Sequence, residues 1–135
     1  MNTTLDPLRV LCLSLLTSGP DARRCSILSF GAVWLLGGPG EQHFARHCDA
    51  WSGAEADPEV IAARGLVMRS VDPFADDESE ALAAFVAWSR CDEAPVLLCG
   101  LQPSHIRAHL LAAARRAGLE IHVPPRILDL HTLYL

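Results

Sequence analysis

The order of strand-like and helix-like segments is the feature that most constrains how this chain can fold. The first half contains three apolar strand patterns in succession, over residues 8–17, 25–36 and about 42–48. A Gly-Pro-Asp turn separates the first two, and "GGPGE" is a hairpin signal before the third. The first segment is apolar at both alternating sets of positions, which is typical of a central strand covered on both faces.

The second half of the chain alternates between helix and strand. Acidic residues open a predicted helix over 76–90, and a short buried strand follows over 94–100. A second helix begins at Pro103 and stops at Gly118, and a fifth strand of about four residues comes after it. Three strands in hairpins followed by helix crossovers predict an α/β fold, a mixed sheet of about five strands with helices on its faces.

Length, charge and cysteine usage narrow the class of protein. A chain of 135 residues without linker or repeat predicts a single domain over 1–135. The net charge is −5, which argues against strong binding to the phosphate backbone of nucleic acids. All 11 basic residues are arginine, so a local Arg patch remains compatible with this charge. No apolar run approaches the roughly 20 residues of a spanning helix, so no membrane contact is expected. Five dispersed cysteines and no signal peptide favour a cytoplasmic protein.

Four stretches carry a resemblance to a known family. They are "VLCLSLLTSGPDARRCSILSFGAVWL", "IAARGLVM", "VLLCGLQPSHIRAHLLAAARRAGL" and "ILDLHTL". In this order they resemble the DnaQ-like (DEDD) 3′–5′ exonucleases of the ribonuclease H-like fold, over about residues 8–135. The resemblance implies that fold and, in the family, hydrolysis of a phosphodiester by two divalent metals held by carboxylates.

The positions of the family's metal-binding acids hold other residues in this chain. The resemblance places Ser14 at the first Asp, Leu16 at the neighbouring Glu, and Ile106 at the acid of the later helix. The positions of a family His, Asn and Phe hold, in that order, Arg64, Gln102 and His105. Leucine and isoleucine have no oxygen with which to coordinate Mg²⁺. We therefore interpret all six as degenerate active-site positions, and expect no catalytic residue, no bound metal and no cofactor.

The end of the chain suggests an interface. The family carries its last acid on a helix after the fifth strand, whereas this sequence stops at Leu135, so we expect the C-terminal catalytic helix to be lacking. Its absence would leave apolar surface uncovered, and the tail is itself apolar. We predict contact with a second copy or another protein subunit, through Leu128, Leu130, Leu133, Tyr134 and Leu135.

Two histidine pairs have both structural and metal-binding interpretations. His43 and His47, with Cys48, fall in a predicted strand, where a spacing of four residues separates them by about 13 Å and disfavours a shared zinc ion. His105 and His109 share one face of the predicted helix, either as packed imidazoles or as ligands of a transition metal.

The remaining charged and thiol groups have simple structural interpretations. The acidic run "DDESE" is expected to be a solvated helix start, and Cys99 an inert core residue. Arg107, Arg115 and Arg116 could form a loose basic stripe beside the former substrate groove.

The sequence thus favours a catalytically inactive, exonuclease-like domain that acts as a protein-interaction or assembly module. Two alternatives stay open. One is a metal-dependent 3′–5′ exonuclease whose ligands are displaced or supplied by a partner. The other is a nucleic-acid-binding protein that does not cleave, which would show salt-sensitive affinity.

Overall fold

A computed structural model describes residues 8–38, 40–125 and 128–129 of the chain. The strands are β1 (Val10–Thr17), β2 (Ile27–Leu36), β3 (His43–His47), β4 (Leu97–Gly100) and β5 (Leu128–Asp129). The helices are α1 (Pro58–Arg64), α2 (Glu78–Ser89) and α3 (Pro103–Ala117).

The five strands form one mixed sheet in the order β3-β2-β1-β4-β5. β2 pairs antiparallel with β1 and with β3, whereas β4 runs parallel to β1 and to β5. Parallel neighbours need a crossover connection, which α2 and α3 supply on either side of β4. The predicted α/β architecture is confirmed, including the hairpin succession and the two helix crossovers. The first two strands each begin two residues later than predicted, at Val10 and Ile27.

The hydrophobic core lies on the face of the sheet that α2 and α3 cover. Leu11 and Leu13 of β1 are 0% and 1% exposed, and burial of each contributes about 1.5–3 kcal/mol. Phe30 of β2 stacks on Phe85 of α2, with the ring centroids 5.7 Å apart. On the opposite face Ser14 is exposed. Among the described residues, the prediction that the first strand is covered on both faces is therefore confirmed only for the face that α2 and α3 cover.

A buried ion pair ties α2 to the sheet and to α3. Glu78 is 2% exposed, and its carboxylate accepts hydrogen bonds from the Ile27 amide at 2.7 Å and the Ser26 hydroxyl at 3.0 Å. Arg116 of α3 donates to both oxygens of this carboxylate, from Nε at 3.0 Å and Nη2 at 2.9 Å. A buried carboxylate needs such partners, because an isolated charge is costly to remove from water.

This ion pair corrects two sequence-based expectations. The acidic run is not wholly a solvated helix start, since Glu78 is a core residue. The basic stripe is not free either, because Arg116 is held by Glu78 and Arg107 donates from Nε to the Val123 carbonyl at 3.0 Å. Two of the three arginines therefore have structural contacts within the domain.

The helix α3 has the boundaries that its capping residues predict. Pro103 occupies the first turn, and Gly118 follows the last with φ of 70°, a conformation that glycine adopts without a steric penalty. α3 is 15 residues long. Within the described ranges, no helix combines the length and apolarity needed to cross a bilayer.

Candidate functional site

An open groove of about 810 Å³ lies at the ends of β1 and β4. These two strands are parallel neighbours, so their carboxyl ends meet at one edge of the sheet, where open α/β sheets bind ligands. β1 and the turn after it form one wall, and the start of α3 forms another. The third wall belongs to α1 and is lined by Asp57, Val60 and Arg64.

The groove brings together five of the six positions that the resemblance assigns to a degenerate active site. Its lining includes Ser14, Arg64, Gln102, His105 and Ile106, from three different elements of the fold. Leu16 is not among the lining residues. It lies two residues beyond Ser14 on β1, is half-buried, and precedes an irregularity in the pairing of β1 with β2.

A close backbone approach shapes the wall at the start of α3. A Cβ on Gly100 would lie 2.8 Å from the Leu13 carbonyl oxygen and 3.1 Å from Ile106 Cδ1, so only glycine fits without a shift. Ile106 itself is 5% exposed. An apolar, nearly buried side chain therefore stands where the resemblance puts a metal-binding acid.

Asp57 is the single carboxylate residue among those that line the groove. Its Oδ1 accepts a hydrogen bond at 3.0 Å from the Glu59 amide and so caps the N-terminus of α1. Sequence reasoning missed Asp57 as a site residue, although the Asp-Pro step before an apolar turn is a signal for a helix start. In the described part of the chain, no group of three or more His, Cys, Asp and Glu residues could hold a metal ion.

Arg64 and His105 make the groove electrostatically different from an acid-lined site. Arg64 ends α1, is exposed, and takes part in no salt bridge among the described residues. Burial, together with the positive charge of Arg64, lowers the pKa of His105 below its ordinary value. The imidazole is therefore predominantly neutral at pH 7, and Arg64 supplies the fixed positive charge of the groove.

His109 lies directly beneath His105 on α3. The two ring centroids are 4.3 Å apart, and His109 is 0% exposed. Neither ring nitrogen of His109 makes a hydrogen bond of acceptable geometry in the described structure, although the backbone of Pro20 lies near the ring. Burial, with the neighbouring His105, lowers the pKa of His109 to about 4, so it is neutral near pH 7. The two imidazoles pack against each other, and among the described residues they belong to no group of three or more His, Cys, Asp and Glu that could hold a metal ion.

The turn between β4 and α3 is conformationally strained at Gln102. This residue has φ of 53° and ψ of 55°, the left-handed region that few non-glycine residues adopt, and its side chain does not cap the helix. Such strain often accompanies a functional site. Here it directs the chain from the sheet into α3 within two residues, Leu101 and Gln102, and places Gln102 on the groove wall.

The "HFARHC" cluster lies away from the groove on the edge strand β3. His43 and His47 are both exposed, as the predicted strand requires, and strand geometry keeps them about 13 Å apart. Cys48 is buried, and its thiol donates to the Ile27 carbonyl with a separation of 3.2 Å. The three residues therefore do not converge.

The predicted interface falls largely outside the described residues. Leu128 is described only as backbone of β5, and Leu130, Leu133, Tyr134 and Leu135 lie beyond the described ranges. Exposed apolar side chains occur elsewhere and were not anticipated. Val71 and Phe74, in the segment between α1 and α2, are 103% and 91% exposed.

Comparison with known proteins gives no match by sequence and many by structure. No protein-family model matches the chain, and no curated protein sequence does either. A structure of E. coli exonuclease I in complex with a dT13 oligonucleotide has a TM-score of 0.68 at 13% identity, covering 84% of this chain and 25% of that one. An ExoI/SSB-Ct complex has a TM-score of 0.71 at 12% identity, covering 96% of this chain and 30% of that one. The chain has an exonuclease-like fold.

This likeness is one of architecture. At 12–13% identity it supports the ribonuclease H-like exonuclease fold that the sequence resemblance implied. The chain spans less than a third of the length of these exonuclease I structures.

Proposed function

We propose that this chain is a catalytically inactive, exonuclease-like domain that works as a protein-interaction or assembly module. One observation supports inactivity above all: the residues that line the groove include a single carboxylate, that of Asp57, which caps α1. Two-metal hydrolysis needs several hard oxygen ligands to hold Mg²⁺ or Mn²⁺. Ser14 and Ile106 supply at most one neutral hydroxyl in their place.

Exposed apolar surface supports the interaction role. Val71 and Phe74 present almost their whole side chains to solvent, and Leu35 and Leu36 at the end of β2 are 55% and 52% exposed. Large exposed apolar side chains of this kind are candidate contact sites where they adjoin one another on the surface. The partner we propose is a second copy or another protein subunit, with the apolar tail 130–135 as part of the contact.

Inactivity is tested by a nuclease assay on labelled single-stranded DNA and RNA with Mg²⁺ or Mn²⁺. We expect no metal-dependent cleavage by the natural chain. Cleavage that disappears in an Asp57→Asn or a Leu16→Arg variant would overturn the proposal and favour displaced ligands. Cleavage that persists in both variants would point to a contaminating nuclease, which repurification of the Asp57→Asn variant would remove.

A reconstruction experiment tests whether the groove is the counterpart of the exonuclease metal site. We expect the triple variant Ser14→Asp, Leu16→Glu, Ile106→Asp to bind Mn²⁺ in calorimetry, while the natural chain does not. The matched control carries the amides Asn, Gln and Asn at the same positions and should not bind. The acidic variant should also be less stable without metal, because clustered carboxylates repel each other. Equal Mn²⁺ binding by the natural chain and the acidic variant would contradict the proposal.

Assembly is tested by sedimentation velocity over a wide concentration range and by pull-down from the host. We expect a dimer or a defined partner, and loss of that contact in one of two variants. Phe74→Ser tests the exposed segment, and Leu133→Ser with Leu135→Ser tests the tail. A monomer at every concentration, with no partner captured, would refute the interaction role.

Nucleic-acid binding without cleavage is a second candidate, which Arg64 supports. This exposed arginine stands at the groove without a salt-bridge partner in the described residues, and two of the similar exonuclease I structures contain oligonucleotides. Fluorescence anisotropy with a labelled single strand would show an affinity that falls with salt and weakens in Arg64→Gln. Affinity unchanged by that substitution would place any binding elsewhere.

A cytoplasmic location completes the proposal. All five cysteines are free thiols, which supports a reducing compartment. Fractionation of host cells tests this directly, and recovery of the protein outside the cytoplasm would contradict it.

A further inference from the structure

Two thiols lie side by side next to the groove. Cys12 of β1 and Cys99 of β4 are in-register partners on neighbouring parallel strands. Neighbouring strands lie about 4.7–4.9 Å apart, and in-register residues of a parallel pair have their side chains on the same face. This spacing falls within the roughly 4.4–6.8 Å between Cα atoms that a disulfide spans. The backbone therefore already holds the two residues at a distance that a bond between them requires.

The Cys12 thiol also influences the ionisation of the Cys99 thiol. Burial, then the adjacent Cys12 thiol and its hydrogen bond with Cys99, raises the pKa of Cys99. Both residues are free thiols. The strand register places the two residues side by side, and the raised pKa of Cys99 agrees with that placement.

Access to solvent distinguishes the two thiols. Cys12 is half-buried and lines the groove, so a small oxidant can reach it, whereas Cys99 is 2% exposed behind it. Cys48 makes a useful contrast, because its buried thiol is bound to the Ile27 carbonyl and burial raises its pKa to about 12. An accessible cysteine backed by a second one is the arrangement of redox-sensitive pairs.

We propose that Cys12 and Cys99 are a redox modification site, at which a peroxide converts the two thiols into an intramolecular disulfide. The Cys12 sulfur takes one oxygen from hydrogen peroxide, which gives a sulfenic acid and releases water. The Cys99 sulfur then displaces hydroxide from the Cys12 sulfur, and the proton of the Cys99 thiol leaves with that hydroxide as a second water. Two electrons pass from the two sulfurs to the peroxide, and a dithiol reductant reverses the change.

The disulfide would change the lining of the groove and would also stabilise the fold. It would draw the Cys12 side chain from the groove wall toward Cys99 and join β1 covalently to β4. It would also close a long loop, since the two residues are far apart in sequence, and loop closure restricts the unfolded chain. The inference goes beyond the proposed function and stands whether or not the domain has a protein partner.

Mass spectrometry of the full chain after treatment with hydrogen peroxide tests this inference. Free thiols are blocked with N-ethylmaleimide under denaturing conditions, and we expect two fewer adducts per chain than in the untreated protein. Non-reducing peptide mapping should identify a Cys12–Cys99 crosslink, and dithiothreitol should restore both adducts. The oxidised chain should unfold at a higher urea concentration than the reduced chain.

Three serine variants make the test specific. Cys12→Ser and Cys99→Ser should each abolish the crosslink, while Cys48→Ser should leave its yield unchanged. Circular dichroism checks that each variant is folded. The inference is overturned if folded natural chain gives only sulfinic acid on Cys12, or crosslinks between chains, or a bond that involves other cysteines.

Discussion

Acid should destabilise this domain through one buried imidazole, that of His109. The residue is 0% exposed, both ring nitrogens lack partners in the described structure, and its pKa is about 4 in the folded chain. An unfolded histidine titrates near pH 6.5. Between these values the unfolded chain binds more protons than the folded one, so stability contributed by neutral His109 is complete above about pH 6.5 and is lost as the pH falls.

The magnitude follows from the difference between the two pKa values of His109. One pKa unit corresponds to about 1.4 kcal/mol, so the full loss below pH 4 is about 3 kcal/mol. At pH 5, where the unfolded imidazole is almost fully protonated and the folded one is not, the loss is about 2 kcal/mol. That is a large fraction of the roughly 5–15 kcal/mol that stabilises a typical domain.

Urea unfolding of the natural chain and of His109→Leu, at several pH values between 7.5 and 4.5, measures this loss. Leucine has a similar volume and removes two unpartnered ring nitrogens, so we expect the variant to be at least as stable as the natural chain at pH 7.5. Between pH 7.5 and pH 5 the free energy of unfolding should fall by about 2 kcal/mol less in the variant.

The comparison between variants isolates His109 from other titrating groups. His105 also has a lowered pKa, but it remains in His109→Leu, so its contribution largely cancels. Parallel curves for the two proteins across this pH range would refute the reasoning. They would mean that the imidazole is protonated in the folded chain and finds a partner that the structure does not contain.

Two further predictions concern the framework around the groove. Glu78→Gln should lower the free energy of unfolding by about 3 kcal/mol in urea denaturation, because the partly buried Arg116 loses its counter-charge. An undiminished stability would show that this pair contributes little. Gly100→Ala should destabilise by about 1–3 kcal/mol, since the new Cβ meets the Leu13 carbonyl at 2.8 Å. Gly31→Ala, whose Cβ would come no nearer than 4.0 Å to another strand, is the matched control and should be nearly neutral.

The fold was predictable because its local signals agree with one another. The continuous apolar run that contains Leu11 and Leu13, and the capping residues Pro103 and Gly118, each predict the element that the structure contains. The mixed sheet then follows from the order of elements, since only parallel partners need helical crossovers. The same local signals also set the first strand boundaries to within two residues.

The site was predictable only where the resemblance supplied an alignment. Ser14, Arg64 and Ile106 come from distant parts of the chain, and no local pattern says that they share a groove. At Glu78 a local pattern gave the wrong prediction, because an acid at a helix start normally faces water. Its burial depends on Arg116, 38 positions further along the chain, which no sequence window around the helix start includes.

The shape of the groove depends on different residues from those that an exonuclease uses for its chemistry, so the loss of activity that we propose is compatible with an intact groove. The shape comes from backbone: the parallel ends of β1 and β4, the contact of Gly100 with Leu13, and the strained turn at Gln102. None of these features needs a metal ligand. If the domain is inactive as proposed, a ligand in this groove would meet the hydroxyl, amide and guanidinium groups of its walls directly. Substitutions that alter only these walls should therefore change what the domain binds while leaving its fold intact.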